Sequence, residues 1–356
     1  MTRDQGQMTL VDLTIDIGGM PIVVRTDNAE FLQILENRYG GFIAGDGNGT
    51  AGTMLSGRGY GQDARGTSGA EPVFRFDVEI VPPGRIADKE ELSVRWAGDH
   101  WVLERSDFHA ECDLASGRGT IRQSANPYAI DAAMRIVHSL LLAPQSGLLV
   151  HAASAVRHGR AFLFAGASGA GKTTLSRLAP PDVTLLTDEI SYVRGTGHGT
   201  RDTGQGTRES GVRSQESEEV SGARCRGSGR ITNHQSPITN GESRVPCPES
   251  RTPYPVSRIP AFVAYGTPFA GELGEPGKNQ RAPLAAVYLL AQGRENKIEP
   301  VGEAQAARIL LANVLFFAHD PALVGRVFGT VCELVARVPV RRLTFVPDAR
   351  VWELIV

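Results

Sequence analysis

Cysteine is scarce in this chain: Cys112, Cys225, Cys247 and Cys332 are the only four in 356 residues, and no two form a C-x-x-C pair. That spacing argues against a disulfide framework and a zinc ribbon, and it fits a reducing cytoplasm. Long apolar runs are missing too. Nothing approaches the roughly 18 consecutive apolar residues of a membrane span, and the opening MTRDQGQMTL lacks the apolar stretch of a signal peptide. The expectation is a soluble, unprocessed cytoplasmic protein with no membrane partner. A surplus of either charge is also lacking, since 37 Lys and Arg oppose 39 Asp and Glu for a formal net charge of -2. With no basic cluster outside one low-complexity region, there is no electrostatic reason to expect nucleic acid as a partner. Small-molecule or protein substrates fit better, and the length is enough for a large core and two domains.

One region lacks the means to fold by itself. Between Thr200 and Ser250 the large apolar residues are five, Val212, Val220, Ile231, Ile238 and Val245, with no aromatic among them. Such a segment cannot bury enough surface to offset its ordering entropy, so 195–257 reads as a disordered insertion into a loop. Its Cys225, His234 and Cys247 match no usual zinc spacing. A second stretch, 40–71, is rich in Gly, Ser, Thr and Asp and reads as a flexible loop. Gly47, Gly49 and Gly52 there spell G-x-G-x-x-G without the flanking strand and helix of a dinucleotide site, and Asp46, Asn48 and Thr50 only begin a calcium loop.

What the chain does have is a phosphate-binding signature. Residues 161–176 read AFLFAGASGAGKTTLS, in which Gly166, Gly171, Lys172 and Thr173 satisfy G-x-x-x-x-G-K-[ST]. The apolar Phe162, Leu163 and Phe164 predict a buried strand before it, and a segment free of Gly and Pro predicts a helix after it. The N–H groups of Gly166, Ala167, Ser168, Gly169, Ala170, Gly171, Lys172, Thr173 and Thr174 would then cradle the phosphates of a nucleoside triphosphate. Lys172 would reach the β- and γ-phosphates, and the Thr173 hydroxyl would ligand Mg²⁺.

Around this motif the periodicity lays out a mixed protein. Val11–Ile17 alternates as a strand, with 22–25 as its hairpin partner across Gly18-Gly19 and a short helix capped by Asp27 or Asn28 beyond. Residues 73–81, 92–96 and 101–105 predict a small antiparallel sheet. Asn126-Pro127 opens a helix that Pro144 stops. Residues 148–156 predict a strand in which His151 is either a packed core histidine or a site residue. After the P-loop helix come an apolar run at 183–186, Thr187-Asp188-Glu189, and a strand at 190–193. Carboxylates at a strand end beside a P-loop suit Mg²⁺ binding and deprotonation of an attacking group. Strands at 259–265 and 283–291 flank a G-T-P-F-A-G-E loop carrying Glu272, and helices are expected at 304–317 and 321–336. Asn296-Lys297-Ile298-Glu299 resembles the guanine-reading N-K-x-D, yet it ends in Glu and no D-x-x-G switch follows the P-loop.

His151 on a strand, G-A-S-G-A-G-K-T at 166–173 and T-D-E at 187–189 together resemble the HPr kinase/phosphorylase family, over about half the chain. The G-T-P-F-A-G-E loop and the A-P-L run at 282–284 are closest to its HPr-kinase-related serine kinases. The resemblance implies an α/β fold: a P-loop catalytic core of the HPr kinase and phosphoenolpyruvate carboxykinase type at 126–356, interrupted at 195–257, with a small N-terminal α+β region at 1–125. It implies an ATP- and Mg²⁺-dependent kinase that phosphorylates a serine hydroxyl on a small protein or precursor peptide, and it is compatible with a homo-oligomer. By the family's motif, Asp188 would accept the hydroxyl proton, and His151 would orient Asp188 or a phosphate oxygen. Mg²⁺ would fall to Thr173, Glu189 (where the family has a second Asp) and Glu272. The alternatives are an ATP-binding regulatory module and an ATPase with no phosphoacceptor.

Deleting residues 200–250 should leave the melting temperature and nucleotide binding nearly unchanged, because loop-closure cost grows slowly with length. A clear fall in melting temperature on thermal denaturation would show that the segment contributes to the folded core.

Overall fold

The first hairpin sets the pattern of the N-terminal half. In the computed structural model, which describes residues 10–44, 71–88, 90–196 and 261–356, β1 (Val11–Ile17) and β2 (Met20–Thr26) pair antiparallel across Gly18 and Gly19. Both glycines have positive φ, +67° and +77°, the geometry of a two-residue hairpin turn. The Asn28 side chain accepts the Phe31 N–H at 2.8 Å and so caps α1 (Ala29–Tyr39), which buries Phe31, Leu35 and Tyr39 at four-residue spacing. Strands β3 (Phe74–Ile80), β4 (Ser93–Trp96), β5 (Trp101–Arg105), β6 (Phe108–Asp113) and β7 (Arg118–Gln123) complete a seven-stranded sheet ordered β1-β2-β3-β7-β6-β5-β4.

This sheet is not the small antiparallel one the alternation suggests. β3 runs parallel to both β2 and β7, because β6 and β7, unread from sequence, fold back and insert between β3 and β5. A run of 26 residues outside the described set, 45–70, lies between the hairpin and β3.

Helix α2 (Pro127–Leu142) starts with Pro127 at its first turn, and the Asn126 side chain accepts the N–H groups of Tyr128 and Ala129. It leads into β8 (Gly147–Arg157), β9 (Arg160–Ala165), α3 (Lys172–Arg177), β10 (Val183–Thr187), β11 (Ile190–Gly195), β12 (Phe262–Tyr265), β13 (Arg281–Gln292), β14 (Lys297–Pro300), α4 (Glu303–Leu311), α5 (Pro321–Arg337) and β15 (Val340–Phe345). β8 pairs with β9, β9 with β13, β13 with β12, β12 with β11 and β11 with β8, so five strands close into a barrel. Of those five pairings only β9 with β13 is parallel.

The expected α/β core of the HPr kinase and phosphoenolpyruvate carboxykinase type is therefore corrected. Strand accounts for 38% and helix for 28% of the described residues, and the P-loop strand belongs to a closed, mostly antiparallel barrel rather than to a sheet sandwiched by helices. The physical reason is the length of β8 and β13, eleven and twelve residues, which lets each hydrogen-bond to three other strands and closes the ring.

Local readings also shift. The helix expected over 304–317 stops at Leu311, and the chain then runs extended beside β8, with the Leu315 N–H donating to Leu149 O at 2.8 Å. The N-K-x-D look-alike starts just before β14, where Asn296 Oδ1 accepts the Val346 N–H. The described residues belong to one compact unit. Of the insertion read at 195–257, Gly195 instead ends β11, and residues 197–257, with Cys225, His234 and Cys247, lie outside the described residues, as do the glycine and calcium-like motifs at 46–52. No described helix is long and apolar enough to cross a membrane.

The two sheets meet at Tyr192, buried on β11, whose hydroxyl donates to Met20 Sδ at 2.7 Å. A Cβ on Gly18 would lie 2.5 Å from the same ring, whereas one on Gly19 would meet nothing. Gly18→Ala should therefore destabilise by about 1–3 kcal/mol more than Gly19→Ala, since both carry the positive-φ penalty and only the first overpacks the core. Urea midpoints of the two variants measure the difference, and equal midpoints would refute the contact.

Candidate functional site

The site grows out of one strand. On one edge of β8, Ala152 faces Ala165, the last residue of β9, so the chain enters the P-loop at Gly166 beside the middle of β8. On the other edge β10 pairs with residues 154–157 and β11 with residues 147–151. Between Thr187 and Ile190 the chain leaves that edge and returns to it. Asp188 and Glu189 are thereby ejected from the ladder, and Ile190 faces His151. P-loop, acidic turn and His151 thus flank the same two residues of β8.

The P-loop is shaped by its glycines. Gly169 and Gly171 have φ of +78° and +102°, and the Phe345 ring packs so closely under Gly171 that a Cβ there would lie 2.6 Å from it. The Ala170 N–H donates to Ala167 O at 3.0 Å, and Gln292 Nε2 donates to Gly169 O at 2.6 Å, tying the loop to β13. Ala167, Ser168 and Gly169 are exposed. α3 has only six residues, so little dipole builds up and phosphate binding would rest on the loop amides and Lys172. Lys172 Nζ donates to Gly166 O at 2.9 Å and to Ala167 O at 3.4 Å. Burial lowers its pKa, against the opposing pull of the nearby Glu189 and Glu272 carboxylates.

The acidic turn is cross-braced. Thr187 Oγ1 accepts the N–H groups of Glu189 and Ile190, each at 3.2 Å, and donates to Phe269 O at 3.4 Å. Asp188 is buried, and its two oxygens accept the Gly271 N–H at 2.8 Å and the Leu273 N–H at 3.0 Å. It thereby clasps the backbone on both sides of Glu272, which is exposed. Gly271 is required at that approach, because a Cβ would come within 2.9 Å of Asp188 Oδ2 and Glu189 Cβ. Glu189 is half-buried with its pKa raised by burial, while Arg135, whose Nη2 is 3.9 Å from Glu189 Oε2, pulls the other way.

His151 is half-buried, and its backbone N–H donates to Asn313 O at 2.7 Å. Burial lowers its pKa, and the positive charges of Lys172 and Arg135 lower it further, so near neutral pH it is an uncharged imidazole. Sequence reasoning missed Arg135, Asn313, Gln292 and Phe345. Arg135 alone carried a signal, as a strong cation between Met134 and Ile136 on a largely apolar helix whose other charged residue is Asp131.

The donors suit Mg²⁺ only in part as a preformed set. Among the described residues no group of three or more His, Cys, Asp and Glu converges to hold a metal, so a Mg²⁺ ion here would rely on a hydroxyl and at most two carboxylates, those of Thr173, Glu189 and Glu272. Mg²⁺ commonly takes one or two protein oxygens and completes its shell with phosphates and waters, and a Thr hydroxyl with a half-buried carboxylate has that hard-oxygen character. Thr174 lies on α3, one residue beyond Thr173. No family model matches the chain, and no curated protein matches it.

The electrostatics make His151 a reporter. Its ring should titrate below the usual 6.5 by NMR, and Lys172→Met should move the midpoint upward by removing one of the two cations. Because folded His151 refuses a proton that the unfolded chain accepts near 6.5, its contribution makes stability fall as pH drops below that value. An unmoved midpoint in Lys172→Met would break the link between the two side chains.

Proposed function

We propose that the protein is an ATP-dependent phosphotransferase that moves the γ-phosphoryl group to a serine hydroxyl of a small protein or precursor peptide, with the chemistry of the HPr-kinase-related serine kinases. The observation that supports this reading is the convergence on the middle of β8, where a P-loop carrying Lys172 and a turn carrying Asp188 and Glu189 flank His151. Phosphoryl transfer asks the protein chiefly for positioning and charge neutralisation, and these groups supply both.

In the proposed step the serine Oγ attacks the γ-phosphorus while the bond to the β–γ bridging oxygen breaks, and ADP leaves with that electron pair. The hydroxyl proton passes to the Asp188 carboxylate and then to solvent. Lys172 exchanges its two carbonyl partners for phosphate oxygens. Neutral His151 orients a phosphate oxygen or Asp188. Mg²⁺ would neutralise phosphate charge, and Thr173 and Glu189, together with Glu272 on the clasped loop, would hold it.

A second reading draws on the N–H bonds that already engage both Asp188 oxygens. An acid spent on holding a loop fits an ATP-binding regulatory module or an ATPase without a phosphoacceptor. Incubation with γ-labelled ATP and candidate peptides, followed by mass spectrometry, separates the two: a labelled serine supports the kinase, and phosphate release alone supports the ATPase.

Under the kinase reading, Lys172→Ala abolishes turnover in a folded protein, because the lysine serves phosphate charge. Asp188→Asn should lower single-turnover transfer by about 10²- to 10⁴-fold with ATP still bound. Glu189→Gln should appear first in the Mg²⁺ concentration needed for nucleotide binding. Transfer that survives Asp188→Asn unchanged would remove the proposed base.

A further inference from the structure

Arg135 reaches the site from α2 with its hydrogen-bonding capacity unspent. A guanidinium carries five N–H donors in a planar fork. Among the described residues Arg135 donates none of them to a protein acceptor. Its nearest carboxylate oxygens, Asp131 Oδ2 at 3.8 Å and Glu189 Oε2 at 3.9 Å, are beyond hydrogen-bond distance, and Nε is buried without a partner. The fork is nevertheless held in place, because its central carbon lies 4.9 Å from the centroid of Phe269, on the loop that Asp188 clasps. A buried donor left unmade is costly, so a fixed guanidinium of this kind implies an acceptor that arrives from outside.

The surroundings select that acceptor. Asp131 is already satisfied by Arg38 and by the Tyr39 hydroxyl, which leaves it no need of Arg135. Arg135 Nη2 lies 3.9 Å from Glu189 Oε2, and Glu189 is on the turn that flanks the middle of β8 across from the P-loop carrying Lys172, so the two cations border the same space. A group with several anionic oxygens, small enough to lie between a lysine on a P-loop and a planar fork facing it, is a terminal phosphate. We propose that Arg135 binds the γ-phosphoryl group of ATP, on the side away from Lys172, and stabilises the charge on its oxygens as the bond to the β–γ bridging oxygen breaks and the bond to the serine Oγ forms. This rests on the nucleotide reading of the P-loop and adds to it a residue that no part of that motif contains.

The test compares ATP with ADP, which lacks the group in question. Dissociation constants for both, with Mg²⁺, are measured by calorimetry for the wild type, Arg135→Gln and Arg135→Lys, with thermal melts confirming the fold. Loss of charge-assisted bonds to one phosphate should weaken ATP about 10- to 100-fold in Arg135→Gln while leaving ADP within about twofold. Arg135→Lys, which keeps the charge and loses the fork, should fall between the two, and it serves as the reading variant should the glutamine protein fail to fold. Equal weakening of ATP and ADP, or no weakening of either, overturns the assignment while leaving the P-loop reading standing. A wild type that binds neither nucleotide overturns the P-loop reading and this inference with it.

Discussion

Everything at the site depends on how β8 shares its hydrogen bonds. A strand has two edges, and eleven residues are enough to serve β9 along one edge and both β10 and β11 along the other. Two consecutive strands cannot occupy one edge without a break between them, and the break falls at Thr187-Asp188-Glu189. Ladder geometry thus frees two carboxylates from pairing at the level where β9 ends and the P-loop begins. Closure of the barrel through β12 and β13 removes the sheet edges that would otherwise stay open around that break.

The acidic turn is then stabilised from outside the barrel strands. Thr267 donates to Ile190 O at 2.7 Å, Thr187 reaches Phe269 O, and Asp188 takes two N–H groups, so the 267–273 segment is tied to the acidic turn at several points. Backbone N–H groups donated to a carboxylate are charge-assisted and stronger than neutral pairs. Burying Asp188 is tolerable because both its oxygens are satisfied, which offsets the desolvation a lone carboxylate would suffer. The same bonds fix where Glu272 and Phe269 stand, and through Phe269 the plane of Arg135.

What the sequence made legible is what local chemistry controls. The two glycines of the first hairpin, the Asn28 and Asn126 caps, Pro127 at the start of α2 and the P-loop glycines each act within a few residues, and each appears where the composition demands it. Pairing partners far apart in sequence were not legible. β13 meets β9 across more than a hundred residues, so the barrel left no local mark and the P-loop was read by association with helix-flanked parallel sheets. Residues 313–315 look helical by periodicity, yet their backbone groups pair with β8, which supplies partners for N–H and C=O groups that a longer α4 would have bonded internally. At the site, residue types in the motif could be named, whereas the Asp188 clasp and the approach of Arg135 depend on which loop and helix the fold brings alongside.

The N-terminal half bears on the site through two contacts of different kinds. One is through packing: Tyr192 on β11, three residues after Glu189, packs against the Gly18 turn, and its hydroxyl donates to Met20 Sδ. The other is ionic and runs as a chain, from Arg38 and Tyr39 at the end of α1 to buried Asp131, from Asp131 to Arg135 one helical turn along α2, and from Arg135 to Glu189. Asp131 draws on strong partners, since its pairing raises the Arg38 pKa and helps to raise that of Tyr39 above the effect of burial. A carboxylate so firmly held gives Arg135 a fixed negative neighbour that keeps its side chain directed at the site without consuming its donors. Removing Asp131 would leave the buried Tyr39 hydroxyl and the partly buried Arg38 and Arg135 without the carboxylate they share. The N-terminal sheet and its helix are accordingly part of the electrostatic frame of the site, because they set how much of the Arg135 charge remains free to meet an incoming anion.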